Sequence, residues 1–85
     1  MQERGFELLV LSPEKPLYNG VVTSLLLPGE KSPFMVLYNH APIISSLSGG
    51  TIEWDTSEKV HSLDIAGGFV QVSMNKATVC VELAE

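Results

Sequence analysis

Thr51-Ile52-Glu53-Trp54-Asp55 sets the period of the chain: Ile52 and Trp54 fall on one side, and Thr51, Glu53 and Asp55 on the other. Strict alternation belongs to a strand, and one apolar and one polar face place that strand half-exposed over a core. Gly49-Gly50 before it marks a chain reversal, and Thr56-Ser57-Glu58 after it a hairpin tip. Beyond the tip, His61, Leu63 and Ile65 alternate with Ser62 and Asp64. Gly67-Gly68 then allows a tight bend or bulge before a strand over residues 69–73. Met74-Asn75 supplies a further hairpin turn, and over residues 76–83 Ala77, Val79, Val81 and Leu83 alternate with Thr78, Cys80 and Glu82.

Towards the N-terminus the same period holds. Residues 6–12 form a strand with Phe6, Leu8 and Val10 on one face and Leu9 and Leu11 on the other, so both faces find apolar neighbours. Pro13 ends it, having no N–H for a ladder. Residues 18–27 read as one longer strand that stops at the turn pair Pro28-Gly29. A loop, Glu30-Lys31-Ser32, follows. Residues 33–37 and 43–47 are short strands joined by the turn Tyr38-Asn39-His40-Ala41-Pro42. Glycine, proline, asparagine or serine interrupts every apolar run before a long amphipathic helix can form. The expected fold is all-β: a small β-sandwich or flattened barrel of about eight to ten short strands, with residues 1–85 as one domain.

Composition narrows what such a domain can do. Hydrophobic residues are 45% and charged residues 18% of the 85, too apolar for a disordered segment and ordinary for a compact core. The net charge of -5, with only five Lys and Arg, excludes the clustered cations that bind nucleic acid or anionic lipid. No apolar run reaches the ~18 residues of a membrane-spanning helix, and the N-terminus does not follow the order of a signal peptide. Cys80 is the one cysteine, so the fold carries no internal disulfide; its place in an alternating strand suits a buried or half-buried structural thiol in a reducing compartment.

Reactive side chains are present without a catalytic arrangement. A histidine in a turn before proline, as in His40-Ala41-Pro42, is more often a hydrogen-bonded loop residue than a base. His61, on the apolar face of its strand, reads as packing beneath a neighbouring loop. Two histidines and one cysteine do not supply the spaced ligands of a zinc site, and Glu53, Asp55 and Glu58 lack a calcium loop's central glycine. Neither glycine pair opens a helix that would hold a phosphate. No cofactor or metal is expected.

What remains is surface. Residues 28–42 concentrate prolines, Phe34, Met35, Tyr38 and His40 in and around two loops, which makes either a partner site or a satellite core beneath those loops. A different class is a free-standing β-sandwich module for a ligand such as carbohydrate, with Trp54 and Tyr38 as stacking platforms.

Four motifs stand in order along the chain: Ser12-Pro13-Glu14, Leu27-Pro28-Gly29, His40-Ala41-Pro42 and Ala66-Gly67-Gly68-Phe69-Val70-Gln71-Val72. Together, and with Gly20 and Gly50, they resemble the N-terminal domain of the epsilon subunit of F-type ATP synthase, called delta in mitochondria, over nearly the whole chain. Ser32 and Met35 stand where that family usually has glycines, and Tyr38-Asn39 where it often has Pro-Gly. Asn39 tolerates a left-handed backbone, whereas Met35 is expected to be an ordinary strand residue.

The resemblance implies a noncatalytic foot of the central stalk, joining the gamma subunit to the ring of c subunits on the cytoplasmic face of the bacterial inner membrane. It implies a peripheral subunit, monomeric when isolated, with no direct membrane insertion. Family members commonly continue into two C-terminal helices, so a short form without them is expected. By the same resemblance Glu30, Lys31, Ser32 and Pro33 face the c ring, and Ser12, Tyr38, His40, Ala41 and Pro42 lie near gamma. Phe34, Tyr38 and Ile43 are the candidates for buried anchoring.

Overall fold

The computed structural model describes residues 4–84. Eight strands follow one another without a helix: β1 (Phe6–Leu11), β2 (Pro16–Val22), β3 (Ser24–Leu27), β4 (Phe34–Val36), β5 (Ile43–Leu47), β6 (Gly50–Asp55), β7 (Val60–Ser73) and β8 (Lys76–Leu83). Their hydrogen-bonded order is β2-β1-β8-β7-β6-β3-β4, with β5 also on β7. All pairings are antiparallel except that of β1 with β8.

β7 makes this sheet into a sandwich. Its first part pairs with β6 and its second with β8 and β5, and the register shifts between Ile65 and Gly67. β5 and β6 lie end to end along β7: Leu47 pairs with Gly68, and Gly50 with Ile65. Gly49-Gly50 is therefore not the reversal its sequence suggests. It is a corner that meets Gly67-Gly68, letting both strands turn together from one layer into the other. The close approach is clearest at Gly68, where an added Cβ would lie 2.1 Å from the Cys80 carbonyl oxygen.

The expected strand over residues 18–27 is likewise divided. Thr23 donates its N–H to the Asp55 carbonyl oxygen at 2.8 Å, and its hydroxyl to the same atom at 3.3 Å. Before this anchor the chain pairs with β1, and after it with β6 and β4, so Thr23 is where it crosses between layers. One layer is β2, β1, β8, the second part of β7, and β5; the other is the first part of β7 with β6, β3 and β4.

The core lies between the layers and comes from the alternation itself. Phe6, Leu8 and Val10 of β1, Ile52 and Trp54 of β6, Val70 and Val72 of β7, and Ala77, Val79 and Val81 of β8 are all buried. Leu25 and Leu27 from β3, Val36 from β4 and Leu47 from β5 close it. Burying one such aliphatic side chain contributes about 1.5–3 kcal/mol, so a domain of this size depends on nearly every one of them. Leu83, expected to share the inward side, is exposed at the end of β8.

Candidate partner interface

Inside the second layer, Trp54 stacks on His61 at 5.6 Å between ring centroids with planes 6° apart, and Tyr18 tilts against both. His61 therefore packs on aromatic rings of β6 and β2, rather than beneath a loop. Trp54 is only 5% exposed, which removes it as a platform for a sugar ring. Tyr38, the other candidate platform, is half-buried under the Arg4 guanidinium, 5.3 Å from its ring centroid.

The two expected contact loops are built differently. In the turn over residues 37–42, Asn39 takes φ 64°, the left-handed backbone its residue type tolerates. Its N–H donates to Asn75 Oδ1 at 2.7 Å, and Asn75 Nδ2 donates to Asn39 Oδ1 at 3.0 Å. The Asn75 carbonyl oxygen also accepts from Glu7 N–H at 3.0 Å, so one turn residue joins β1, the β7–β8 hairpin and this loop. His40 N–H bonds the Leu37 carbonyl oxygen at 3.1 Å, and His40 Nδ1 lies 2.7 Å from the Ala41 carbonyl oxygen. His40 is thus a hydrogen-bonded loop residue. Ala41 and Pro42 are exposed beside it.

Glu30, Lys31, Ser32 and Pro33 are all exposed and follow a backbone anchorage. Glu30 N–H reaches the Ser46 carbonyl oxygen at 3.3 Å, Gly29 bridges Leu47, and Ser48 N–H donates to the Pro28 carbonyl oxygen at 2.9 Å. Glu30, Lys31 and Ser32, but not Pro33, border a shallow concavity of about 430 Å³ together with Gly29, Phe34 and Ile44. Met35 lies in β4 as an ordinary strand residue, paired with Leu26. Phe34 and Ile43 are partly buried against the core, whereas Leu37 and Met35 stay about half exposed. The aromatic and apolar cluster of these loops is thus divided between a satellite core and open surface.

Ser12 is not beside Tyr38 and His40. It follows Leu11, whose row across the first layer runs Leu11, Cys80, Phe69, Ser46. Pro42 precedes Ile43, which pairs with Val72, three residues along β7 from Phe69 or roughly 10 Å. The two sets sit at opposite ends of one layer and are joined by its outer face. The next row on that face is Leu9, Thr78, Gln71, Ile44. Neither row contains a charged residue, and Ile44 and Phe69 are 77% and 51% exposed. Leu9, Leu11, Ile44 and Phe69 were not singled out as contact residues from sequence. The signal was in β1, where leucines on both faces of a strand require an apolar environment on both sides.

Fold and surface together define a class: a small β-sandwich with a filled core, two adjacent uncharged rows on one outer sheet face flanked by a Glu7–Lys76 row, and two exposed loops at its margins. Among the described residues no three His, Cys, Asp or Glu side chains gather as metal ligands. The chain belongs to the ATP synthase delta/epsilon chain β-sandwich domain family, whose model matches residues 5–85. It is 38% identical over 82 residues to the ATP synthase epsilon chain of Leptospira interrogans, covering 96% of this chain and 65% of that one. It is 36% identical over 81 residues to the epsilon chain of Chlorobium limicola, covering 94% and 92%. The chain thus spans about two thirds of the Leptospira relative and nearly all of the Chlorobium one.

Among solved structures, the fold is similar to a chain of the Tetrahymena thermophila mitochondrial ATP synthase central stalk and c ring. The TM-score is 0.81 at 15% identity, covering 96% of this chain and 66% of that one. A chain of the Euglena gracilis mitochondrial enzyme gives 0.85 at 19% identity, covering 91% and 50%. At these identities the likeness is one of fold.

Proposed function

We propose that this chain is a noncatalytic rotor subunit of an F-type ATP synthase, joining gamma to the c ring so that ion-driven ring rotation is passed to the catalytic head. It sits peripherally on the cytoplasmic face of the bacterial inner membrane. The outer face of the first layer, with Ser12 at one end and Tyr38, His40, Ala41 and Pro42 at the other, meets gamma. Glu30, Lys31, Ser32 and Pro33 meet the c ring.

The observation that carries this reading is the pair of uncharged rows on the outer face, with exposed Ile44 and Phe69, on a domain of the ATP synthase delta/epsilon chain family. A transmitter of torque needs stiffness and broad contact rather than reactive groups, and a closed sandwich offers both. The charged loop over residues 30–33 suits register and specificity at the ring more than affinity, because exposed ion pairs are weak. The carbohydrate-module alternative loses its principal platform with Trp54 buried.

Co-purification with gamma tests the reading. Tyr38→Ala should weaken capture of gamma, whereas Glu58→Ala, at the distant hairpin tip, should leave it unchanged. Equal capture of gamma by both variants would count against this placement.

A further inference from the structure

Three asparagines stand in the chain, and they are not equally protected. Asn39 and Asn75 are tied to each other by the reciprocal bonds of the pinned loop, and each precedes a residue with a large side chain, His40 and Lys76. Asn19 lies on β2, exposed and outside that pair, and a glycine follows it. An asparagine before glycine is the arrangement in which the backbone attacks the side chain most readily, because Gly20 has no Cβ to hinder its nitrogen.

The place of β2 in the sheet decides when that attack is open. β2 ends the hydrogen-bonded order and pairs only with β1 among the described residues. Glu7 donates its N–H to the Asn75 carbonyl oxygen on the β8 side, and successive strand residues turn their backbone groups to opposite sides, so Leu8 turns its own to its register partner Gly20. The Gly20 nitrogen is thus held in the ladder while β2 is seated. An end strand whose one buried side chain is Val22 opens more readily than a central strand, and opening frees that nitrogen. Asn19 also extends one of the uncharged rows: opposite Leu9, it makes the row Asn19, Leu9, Thr78, Gln71, Ile44.

We propose that Asn19-Gly20 is a self-modification site, open in the free chain and closed when a partner holds β2 in place. The Gly20 nitrogen attacks the Asn19 side-chain carbonyl carbon and gives its proton to the departing amide, which leaves as ammonia. Water then opens the cyclic imide at either carbonyl, so the products are aspartate and isoaspartate, and no oxidant or cofactor is consumed. Either product puts a carboxylate at the head of the uncharged row. Isoaspartate also adds a methylene to the main chain, which breaks the register of residues 20–22 with β1. The site itself is a property of the free chain. Its consequence, that gamma protects the unmodified chain and refuses the modified one, rests on the proposed stalk function.

The test ages the full chain at mildly alkaline pH, alone and in complex with its own organism's gamma subunit, and maps the products by peptide mass and isoaspartate detection. In the free chain, conversion at Asn19 is expected to run about tenfold faster than at Asn39 or Asn75, and to quicken in mild denaturant together with hydrogen exchange at the Gly20 amide. Asn19→Gln, at an exposed position that should leave the fold intact, abolishes it. Bound gamma is expected to slow the conversion about tenfold, and Asn19→Asp to weaken gamma binding about tenfold. Conversion at Asn39 or Asn75 first, or none at Asn19, overturns the site and leaves the stalk function standing. Conversion at Asn19 that bound gamma neither slows nor discriminates against overturns the link to assembly. A parent that does not bind gamma removes that link together with the stalk function, and the ageing of the free chain still decides the site.

Discussion

The loops over residues 37–42 and 30–33 lie in the same domain and are expected to meet different partners, yet they are held in different ways. The first is pinned by side chains from elsewhere in the chain, through the reciprocal Asn39–Asn75 amide pair and the Arg4 guanidinium over Tyr38. The second is anchored by backbone at its start and then runs exposed from Glu30 to Pro33. A pinned loop loses little further entropy on docking and suits a fixed joint with gamma. A loop whose side chains are free can adjust to a ring of repeated subunits. In the proposed stalk, the difference in construction corresponds to a difference in duty.

The largest expected effect removes what both loops depend on. Gly68→Ala would drive a Cβ into the Cys80 carbonyl at the corner where β5, β6, β7 and β8 meet. The cost should reach about 3 kcal/mol or more, a large part of the stability of a domain this small. Thermal unfolding by circular dichroism measures it, and a variant melting with the parent would mean that the corner is not tight.

Next is the pin itself. Asn75→Gly keeps the left-handed turn, at φ 60°, and deletes both amide bonds, at an expected cost of about 1–2 kcal/mol. Hydrogen exchange should then quicken at Asn39 and His40 while the loop at 30–33 keeps its rate. Equal quickening of both would dissolve the distinction between the loops.

Met74 sharpens the same region from the other side. It is 91% exposed and held at φ 51°, where a non-glycine side chain is strained. Met74→Gly should raise stability by about 1 kcal/mol, visible as a higher denaturant midpoint with an unchanged slope. Smallest is Lys31→Ala, expected to alter stability by less than about 0.5 kcal/mol while lowering retention on isolated c rings. A large loss of stability there would mean that the loop is part of the folded framework after all.

Much of this architecture is legible in the chain. The alternations at 51–55 and 76–83 mark strands and, Leu83 apart, their inward faces, and Met74-Asn75 is the hairpin turn it resembles. Gly49-Gly50 misleads because a glycine pair declares backbone freedom but not the direction of the bend. Thr23 gives no sign of breaking a strand, since its crossing depends on a carbonyl at Asp55, 32 residues away. The contact surface is harder to see for the same reason: Asn39 and Asn75 meet across 36 residues, and the outer rows form only once β1, β8, β7 and β5 are in register. Leu9 and Leu11 are the local clue, because two leucines on a strand's second face have no use for solvent.

The central claim is that the uncharged rows of the outer face are gripped by gamma, and Ile44→Lys tests it most directly. Ile44 is 77% exposed, so a lysine there leaves the fold intact while placing a charge at the β5 end of the uncharged rows. Tagged parent and variant would be co-purified with gamma from the same organism. A one-to-one complex with the parent and none with a folded Ile44→Lys variant is the predicted result. Recovery of gamma in equal amount with both, or with neither, would contradict the claim.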